Sequence, residues 1–564
     1  APVRLSSDVV PIFTCHLSGS FFHIFFGGAP FFLHHLHLLL HLLHLLQIIL
    51  VLMMRRGVII HLCALSPSSP SSVSLLARLC AAGVGVAAAS FAGSSREAAA
   101  ARRRLESLAS AESEFCSLLT LARGSASVAP ALLAQADAWG VHPSSLAVVA
   151  RFAVDEEASE AGGLALLRAA SELGCGAYAI LTGTASVSAP SFVTFLSGLE
   201  DVPRAEARRA GASMVGVAMR AKRAAALAGA GMLPPLPVDG VCFEPLPLET
   251  PPAEWGAYDA ILHKATDELE IVRRQEGSSS SSSASVFAYR FGPGIQALEA
   301  YLAAHPLCVC VDPLEQLASV IDRRRTAKIL RELEEEEEEE EAAAAGKKGL
   351  MPRIRAPATA VLEDAESLLA QSNLRLPVIL KPVAACGVDG SHRLAIVRSF
   401  AQEHGEFFGN GASGVVVAQE YVSHGDVFHK VYVLGDEIFP MSKPSTPAVP
   451  AGAMDGPPLV FDSLKPLPRS FPDSVASSSP PALPLDLALA RTAAARLRAK
   501  LGLSLFGFDV VVETGSGDHF VVDVNYLPSF NNVPKAGEAL RRVVAGKIAQ
   551  QARLNGTGAQ KAAS

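Results

Sequence analysis

Apolar and polar positions change their period several times along the chain, and each change marks a different kind of element. Between about 72 and 210, Ala, Leu and Arg recur at helical spacing, as from Ser94 to Leu121. Short buried-strand runs lie between, among them Leu146-Ala-Val-Val-Ala150 and Tyr178-Ala-Ile-Leu181. Alternating helices and buried strands predict a small α/β domain. Further along, Val378 to Lys381, Val415 to Val422 and Val427 to Val433 read as strands. Leu487 to Leu501 reads as an amphipathic helix, with Asp486 placed to cap it. Two β-rich runs, Leu505 to Glu513 and His519 to Asn525, flank a Thr-Gly-Ser-Gly-Asp turn and predict a hairpin.

Three segments break these patterns. Ser278 to Ser283 is a polyserine tract, and Glu334 to Glu341 is a run of eight glutamates. Such compositions bury too little apolar surface to join a core. The glutamates read as an exposed helix extension or a disordered insert. A Pro/Ser-rich stretch, about 444–484, reads as a long loop. Residues 1–53, with the Leu/Phe/His tract 31–54, read as a low-complexity leader outside the fold. The five histidines from His34 to His44 make that tract a poor membrane span.

The expected organisation is an N-terminal α/β domain at 54–210 and a second region at 211–310. A third region at 311–552 and a flexible tail at 553–564 complete it. Strand Val58 to Leu62 lacks aspartates suited to phosphatase-like chemistry, so the N-terminal domain is expected to be non-catalytic. Composition adds little at first. Half of the 564 residues are apolar and 18% are charged, normal for a globular chain. The net charge of −7, from 55 acids and 48 bases, argues against an anionic partner. Without the eight glutamates, however, the balance is +1. The nine cysteines form no CxxC pair and read as reduced thiols of an intracellular protein, expected in the cytoplasm with the nucleus as a second place.

The candidate chemistry lies in the last third. Side chains alternate along a strand, so Asp523 and Asn525 share a face, and Asp509 on the partner strand can reach it. Two carboxylates and an amide oxygen suit Mg²⁺. Lys381 ends a strand before a Gly-containing segment, Ala385 to His392, a setting suited to nucleotide phosphates. Lys430 sits mid-strand among apolar residues, and a buried lysine needs an anionic partner such as phosphate.

At these residues the sequence resembles a family, the inositol 1,3,4-trisphosphate 5/6-kinases, also called inositol-tetrakisphosphate 1-kinases, of the ATP-grasp fold. The plant branch, with an added N-terminal domain, fits best. The resemblance runs discontinuously from about Val215 to Pro534, through VGVAMRAKR, ILHKATD, DPLEQLASVIDRRRT, ILKP with SHRLAIV, AQEYVSHGDVFHKVYVLGD, LFGFDVVVE and VVDVNYLPSF. It implies an α/β (α+β) chain: an ATP-grasp kinase preceded by a small Rossmann-like α/β domain. Region 211–310 would then bind inositol phosphate, and 311–552 would be the ATP-grasp domain. The reaction implied moves the ATP γ-phosphate to a free hydroxyl of an inositol tris- or tetrakisphosphate, with Mg²⁺ as cofactor and no phosphoenzyme.

The family's roles carry over residue by residue. The basic pair Lys222 and Arg223 follows the first strand, and Arg223, Lys264, His392, Lys430, Asn525 and Ser529 would contact the inositol phosphate. Arg323, Lys381, Gln419, Glu420, Lys430, Ser445 and Ser463 would contact the nucleotide. Asp509, Asp523 and Asn525 would hold the metal, while His392 and Lys430 would be the catalytic pair, orienting the substrate and neutralising the migrating group. The twelve residues from Gln419 to Lys430 keep the family's spacing.

Departures bear on substrate choice more than on fold. The family's Arg-x-Ser-Leu-Pro block stands here as Lys443-Pro-Ser445-Thr-Pro, which trades a bidentate fork for a point charge. Ser529 replaces a usual glycine. The glutamates begin eleven residues after Arg323 and are expected to loop away from the ATP cleft. His263, His429 and His519 read as packing or surface residues, and Asp426 as a turn residue. ATP and inositol polyphosphates are the expected partners of a monomer that binds neither nucleic acid nor membrane. The alternatives are an ATP-grasp carboxylate ligase and a non-catalytic inositol-phosphate sensor or scaffold.

Overall fold

The computed structural model describes residues 201–271, 288–343, 352–362, 374–399, 415–449, 456–472 and 481–562. In the N-terminal part it describes 13–17, 20–24, 57–61, 85–91, 116–121, 128–138, 146–153, 166–173, 175–182 and 194–196. The tract 31–54 and the polyserine lie outside the described residues. Among the described residues, Phe13–Leu17 and Ser20–Ile24 pair with each other alone, as an antiparallel hairpin.

Six parallel strands follow. Their order is Cys116–Leu121, Gly85–Phe91, Gly57–His61, Leu146–Ala153, Gly176–Thr182, Thr194–Leu196. The expected helical run ending at Leu121 is corrected here, because its last six residues form a strand. Cys-Ser-Leu-Leu-Thr-Leu is a short apolar run, and periodicity cannot separate strand from helix at that length. Helix Val128–Ala138 buries Val128, Leu132 and Ala136, four residues apart on one face. The sheet meets helix Val202–Ala210 at Tyr178, whose hydroxyl donates to the buried Glu206 carboxylate. Arg209 pairs with the same carboxylate at 2.7 Å.

A four-stranded parallel sheet comes next, in the order Val241–Pro245, Ser213–Ala218, Ala260–His263, Val309–Val311. Its inner strands are almost wholly buried, as expected where both faces are covered. Leu269–Ile271 and Tyr289–Phe291 pair as an antiparallel ribbon, and two five-stranded sheets follow. One is antiparallel, in the order Thr359–Leu362, Val416–Glu420, Val378–Pro382, Arg393–Val397, Leu459–Asp462. The other orders Ile354–Arg355, His519–Tyr526, Leu505–Val512, Val427–Leu434, Glu437–Pro444.

One apolar core, including Phe243, Tyr301, Tyr432, Phe506, Phe508 and Tyr526, joins the four-stranded sheet to the second five-stranded one. The antiparallel sheet keeps a separate small core of Leu362, Leu380, Val397 and Val416 with their neighbours. The stretch read as one long loop contains the edge strand Leu459–Asp462. Its four residues lie among prolines and serines and show no alternation long enough to signal a strand.

The glutamate run continues the helix Arg323–Ala343 without a break. It is neither an insert looping away nor fully exposed. Arg355 pairs with Glu334 and Glu338, Arg496 with Glu337, and Lys500 with Glu336. One face of the run thus lies against helix Leu487–Leu501, whose N-terminus Asp486 caps through the amides of Ala488 and Leu489. At the chain's end, helix Ala536–Ala562 runs through most of the segment expected as a tail.

Candidate functional site

The second five-stranded sheet lines up three charges in one rung. Lys430 stands opposite Asp509, and Asp509 opposite Asp523, on three adjacent strands. The Lys430 ammonium is 2.8 Å from the Asp509 carboxylate. Lysine mid-strand among apolar residues therefore has a carboxylate as its anionic partner. A β-bulge directly after Asp509 shifts the register there, a common device beside functional sites because it re-aims a side chain. Asn525 donates to Asp523 across 3.3 Å.

The antiparallel sheet and the helix Arg323–Ala343 supply the opposing cations. Buried Lys381 donates to the Gln419 side chain at 2.7 Å and reaches across to the Val522 carbonyl at 2.9 Å. Arg323, at the head of its helix, donates to the carbonyls of Pro382, Ala384 and Ser391, fastening both ends of the Gly-containing segment. Its Nε is buried and has no hydrogen-bond partner among the described residues.

The electrostatics follow from this crowding. Burial alone would raise the Asp523 pKa, but Arg323, Lys381 and Lys430 together hold it below the usual carboxylate value. Burial pushes Lys381 down to about 8, more than Asp523 restores. Burial also opposes the Lys430 charge, yet the Asp509 carboxylate outweighs it and the pKa rises.

Another wall comes from the four-stranded sheet. Arg223 donates to Asp267 at 2.8 Å, and the Arg220 guanidinium reaches the Asp267 main-chain carbonyl. Lys264, only 8% exposed, donates to the Tyr526 carbonyl and lies 5.3 Å from the centre of that ring. With no carboxylate among the described residues bonded to it, burial lowers its pKa to about 8. Across from it, His392 lies 3.3 Å from the Ser463 hydroxyl, and burial followed by Arg323 lowers its pKa below the ordinary histidine value. The Gly segment seats directly on this wall at Gly387, where φ is +77° and an added Cβ would stand 2.5 Å from the Thr266 carbonyl.

The fourteen residues given nucleotide, acceptor or metal roles from the sequence line one cleft of about 1810 Å³. They are Arg223, Lys264, Arg323, Lys381, His392, Gln419, Glu420, Lys430, Ser445, Ser463, Asp509, Asp523, Asn525 and Ser529. Exposed Lys222 does not line it. Sequence reasoning missed Asp267 and His424. His424 Nδ1 lies 2.6 Å from the Val422 carbonyl, so it carries the proton, and Nε2 accepts from the Ser445 hydroxyl at 2.7 Å. The Ser-His-Gly-Asp turn was the available signal, since it falls within the spacing-matched segment from Gln419 to Lys430. His263, His429 and His519 are buried packing residues; His519 Nε2 accepts the Asp486 amide.

Among the described residues, no group of three or more His, Cys, Asp or Glu side chains is placed to hold a metal ion. The Asp509, Asp523 and Asn525 set offers two carboxylates and an amide, an oxygen-only donor set fitted to a hard cation. No described helix is long and apolar enough to cross a membrane.

Residues 351–544 match the family model described as the inositol 1,3,4-trisphosphate 5/6-kinase ATP-grasp domain. Inositol-tetrakisphosphate 1-kinase 6 of Oryza sativa subsp. indica is 34% identical over 333 residues, 57% of this chain and 57% of that protein. Inositol-tetrakisphosphate 1-kinase of Xenopus laevis is 28% identical over 308 residues, 52% of this chain and 69% of that protein. The chain thus spans a little over half the length of the rice relative. The crystal structure of D-alanine–D-alanine ligase from Bacillus anthracis is similar at 12% identity and a TM-score of 0.35, covering 62% of this chain and 99% of that one, a likeness too slight to argue from. The chain carries an ATP-grasp domain related to the inositol phosphate kinases.

Proposed function

We propose that the chain is an ATP-dependent inositol phosphate kinase, moving the γ-phosphate of ATP to a free hydroxyl of an inositol tris- or tetrakisphosphate. The observation that carries this reading is the convergence of Arg323, Lys381 and Lys430 on the Asp509–Asp523 rung, with Arg223, Lys264 and His392 along the same cleft. Two polyanions can meet only where positive charge is concentrated, and phosphoryl transfer asks for positioning and charge neutralisation more than covalent help.

In this reading Arg323, Lys381, Gln419, Glu420, Ser445 and Ser463 hold the nucleotide. Arg223, Lys264, Asn525 and Ser529 hold the acceptor, and Asp509, Asp523 and Asn525 hold magnesium. Bound magnesium would neutralise phosphate charge. Lys430 is kept protonated by Asp509, so it can neutralise the migrating group. His392, whose pKa is lowered, is neutral near pH 7 and orients by hydrogen bonding rather than charge. The six-stranded parallel sheet, with its first strand in the middle, supports reading the N-terminal part as an added Rossmann-like domain of the plant type.

The test is an acceptor panel of inositol tris- to hexakisphosphates incubated with ATP and Mg²⁺, with products separated by isomer-resolving chromatography. A product carrying one more phosphate supports the kinase. ATP-dependent ligation of a carboxylate, or tight binding with no phosphorylated product from any isomer, would refute it.

A further inference from the structure

The proposed roles leave one wall of the cleft without a task. After strand Leu459–Asp462 the chain runs along the cleft mouth from Ser463 to Arg469. It brings two cations, Lys465 and Arg469, and a third, Arg393, stands opposite Asp462 in the neighbouring strand. Three positive side chains face a single carboxylate, so this wall is net cationic.

Among the described residues, none of the three is committed elsewhere. Arg469 has no hydrogen-bond or ion-pair partner among the described residues, and Lys465 makes only a long 3.7 Å contact with Asp462 while 76% exposed. A contact that loose costs little to redirect. The segment's root is nevertheless fixed. Ser463 donates its amide to the His392 carbonyl at 2.9 Å, and its hydroxyl lies 3.3 Å from the His392 ring. The cationic wall therefore begins at Ser463, read as contacting the nucleotide, where that residue is bonded to His392, read as contacting the acceptor.

The cleft volume, about 1810 Å³, exceeds the roughly 300–1,000 Å³ usual for a single small ligand. A cleft of that size accommodates nucleotide and acceptor together, with the acceptor's side of it open to this wall. Arginine offers a planar fork matched to phosphate oxygens, and lysine a mobile point charge.

We propose that Arg393, Lys465 and Arg469 form a phosphate-gripping wall at the cleft mouth. It takes the outward phosphoryl groups of the acceptor and sets how highly phosphorylated an acceptor the cleft retains. This rests on the inositol phosphate reading above. The shared chemistry is a multiply charged phosphate, which either the acceptor or the nucleotide could supply.

The experiment measures equilibrium binding by calorimetry on the full chain, without turnover. The ligands are inositol hexakisphosphate, inositol 1,3,4-trisphosphate and a non-hydrolysable ATP analogue. The protein is wild type, Lys465→Gln/Arg469→Gln, or Lys328→Gln as an exposed control outside the cleft. The double variant is expected to lose about tenfold in hexakisphosphate affinity, with a flatter salt dependence. Trisphosphate is expected to lose about twofold or less, and the ATP analogue and the control to be unchanged. A loss confined to the ATP analogue would overturn the assignment to the acceptor, and no loss for any ligand would overturn the wall itself. Failure of the wild-type chain to bind any inositol phosphate would instead overturn the underlying kinase reading, and the wall with it.

Discussion

Lys381 gives the sharpest consequence of the cleft's electrostatics. In the unfolded chain a lysine keeps its proton to about 10.5, whereas burial brings Lys381 down to about 8. Between these values the unfolded state binds more protons than the folded one. Stability of the ligand-free protein therefore rises with pH through that window and is flat on either side. Conversely, the protonated lysine costs ~3 kcal/mol at neutral pH while Asp523 offsets its burial only in part and no ligand anion sits beside it. Nucleotide phosphate would supply that anion and draw the proton back. At pH 9 the free protein holds about ten neutral Lys381 for each charged one, so an ATP contact needing the charge weakens about tenfold per pH unit above 8.

The assay is the dissociation constant of a non-hydrolysable ATP analogue from pH 7 to 9.5, in magnesium-free buffer. Proton uptake is read by repeating the calorimetry in buffers of different ionisation enthalpy. Lys381→Arg keeps its charge throughout and is expected to abolish the bend, whatever its affinity at pH 7. A flat profile in the wild type, or an unchanged bend in Lys381→Arg, would show that the charge on Lys381 does not serve the nucleotide.

Three further outcomes follow. Asp523→Ala is expected to cut turnover about 10²–10³-fold while thermal unfolding stays cooperative; unchanged turnover would remove Asp523 from the metal and phosphate site. Gly387→Ala places a methyl 2.5 Å from the Thr266 carbonyl at a φ of +77°. It should raise the KM for the acceptor more than that for ATP, because the loop leading to His392 must lift from the Lys264 wall, and equal effects on both would contradict that seating. Glu337→Gln breaks a pair in which both side chains are only 15% exposed. It should lower unfolding free energy by ~1–2 kcal/mol, measured by urea titration, with a smaller loss in high salt if the pair acts through charge.

Some elements were legible because their signal is local. The hairpin of Leu505–Val512 and His519–Tyr526 shows in period-two apolar positions around a glycine turn, and the alternation alone put Asp523 and Asn525 on one face. Asp486 and its helix show through cap chemistry and helical spacing. Other features depend on partners far away in sequence. The glutamate run looks solvated in one dimension, but Arg355 and Arg496 lie well beyond it along the chain. Asp267 reads as one polar residue in HKATD until the fold sets it against Arg223 and Arg220. Lys430 needed an anion, and the fold supplies one that the sequence order hides, Asp509 on the adjacent strand. Net charge misled for the same reason, since the bases that line the cleft are gathered from distant segments.

The central claim is that this cleft transfers phosphate between two bound polyanions. The most direct measurement follows γ-labelled phosphate from ATP in a single turnover with inositol 3,4,5,6-tetrakisphosphate or inositol 1,3,4-trisphosphate, in wild type and Asp523→Ala. The account predicts label in an inositol phosphate bearing one added phosphate in the wild type and almost none in the variant. Label appearing only as inorganic phosphate, or transfer undiminished in Asp523→Ala, would contradict it.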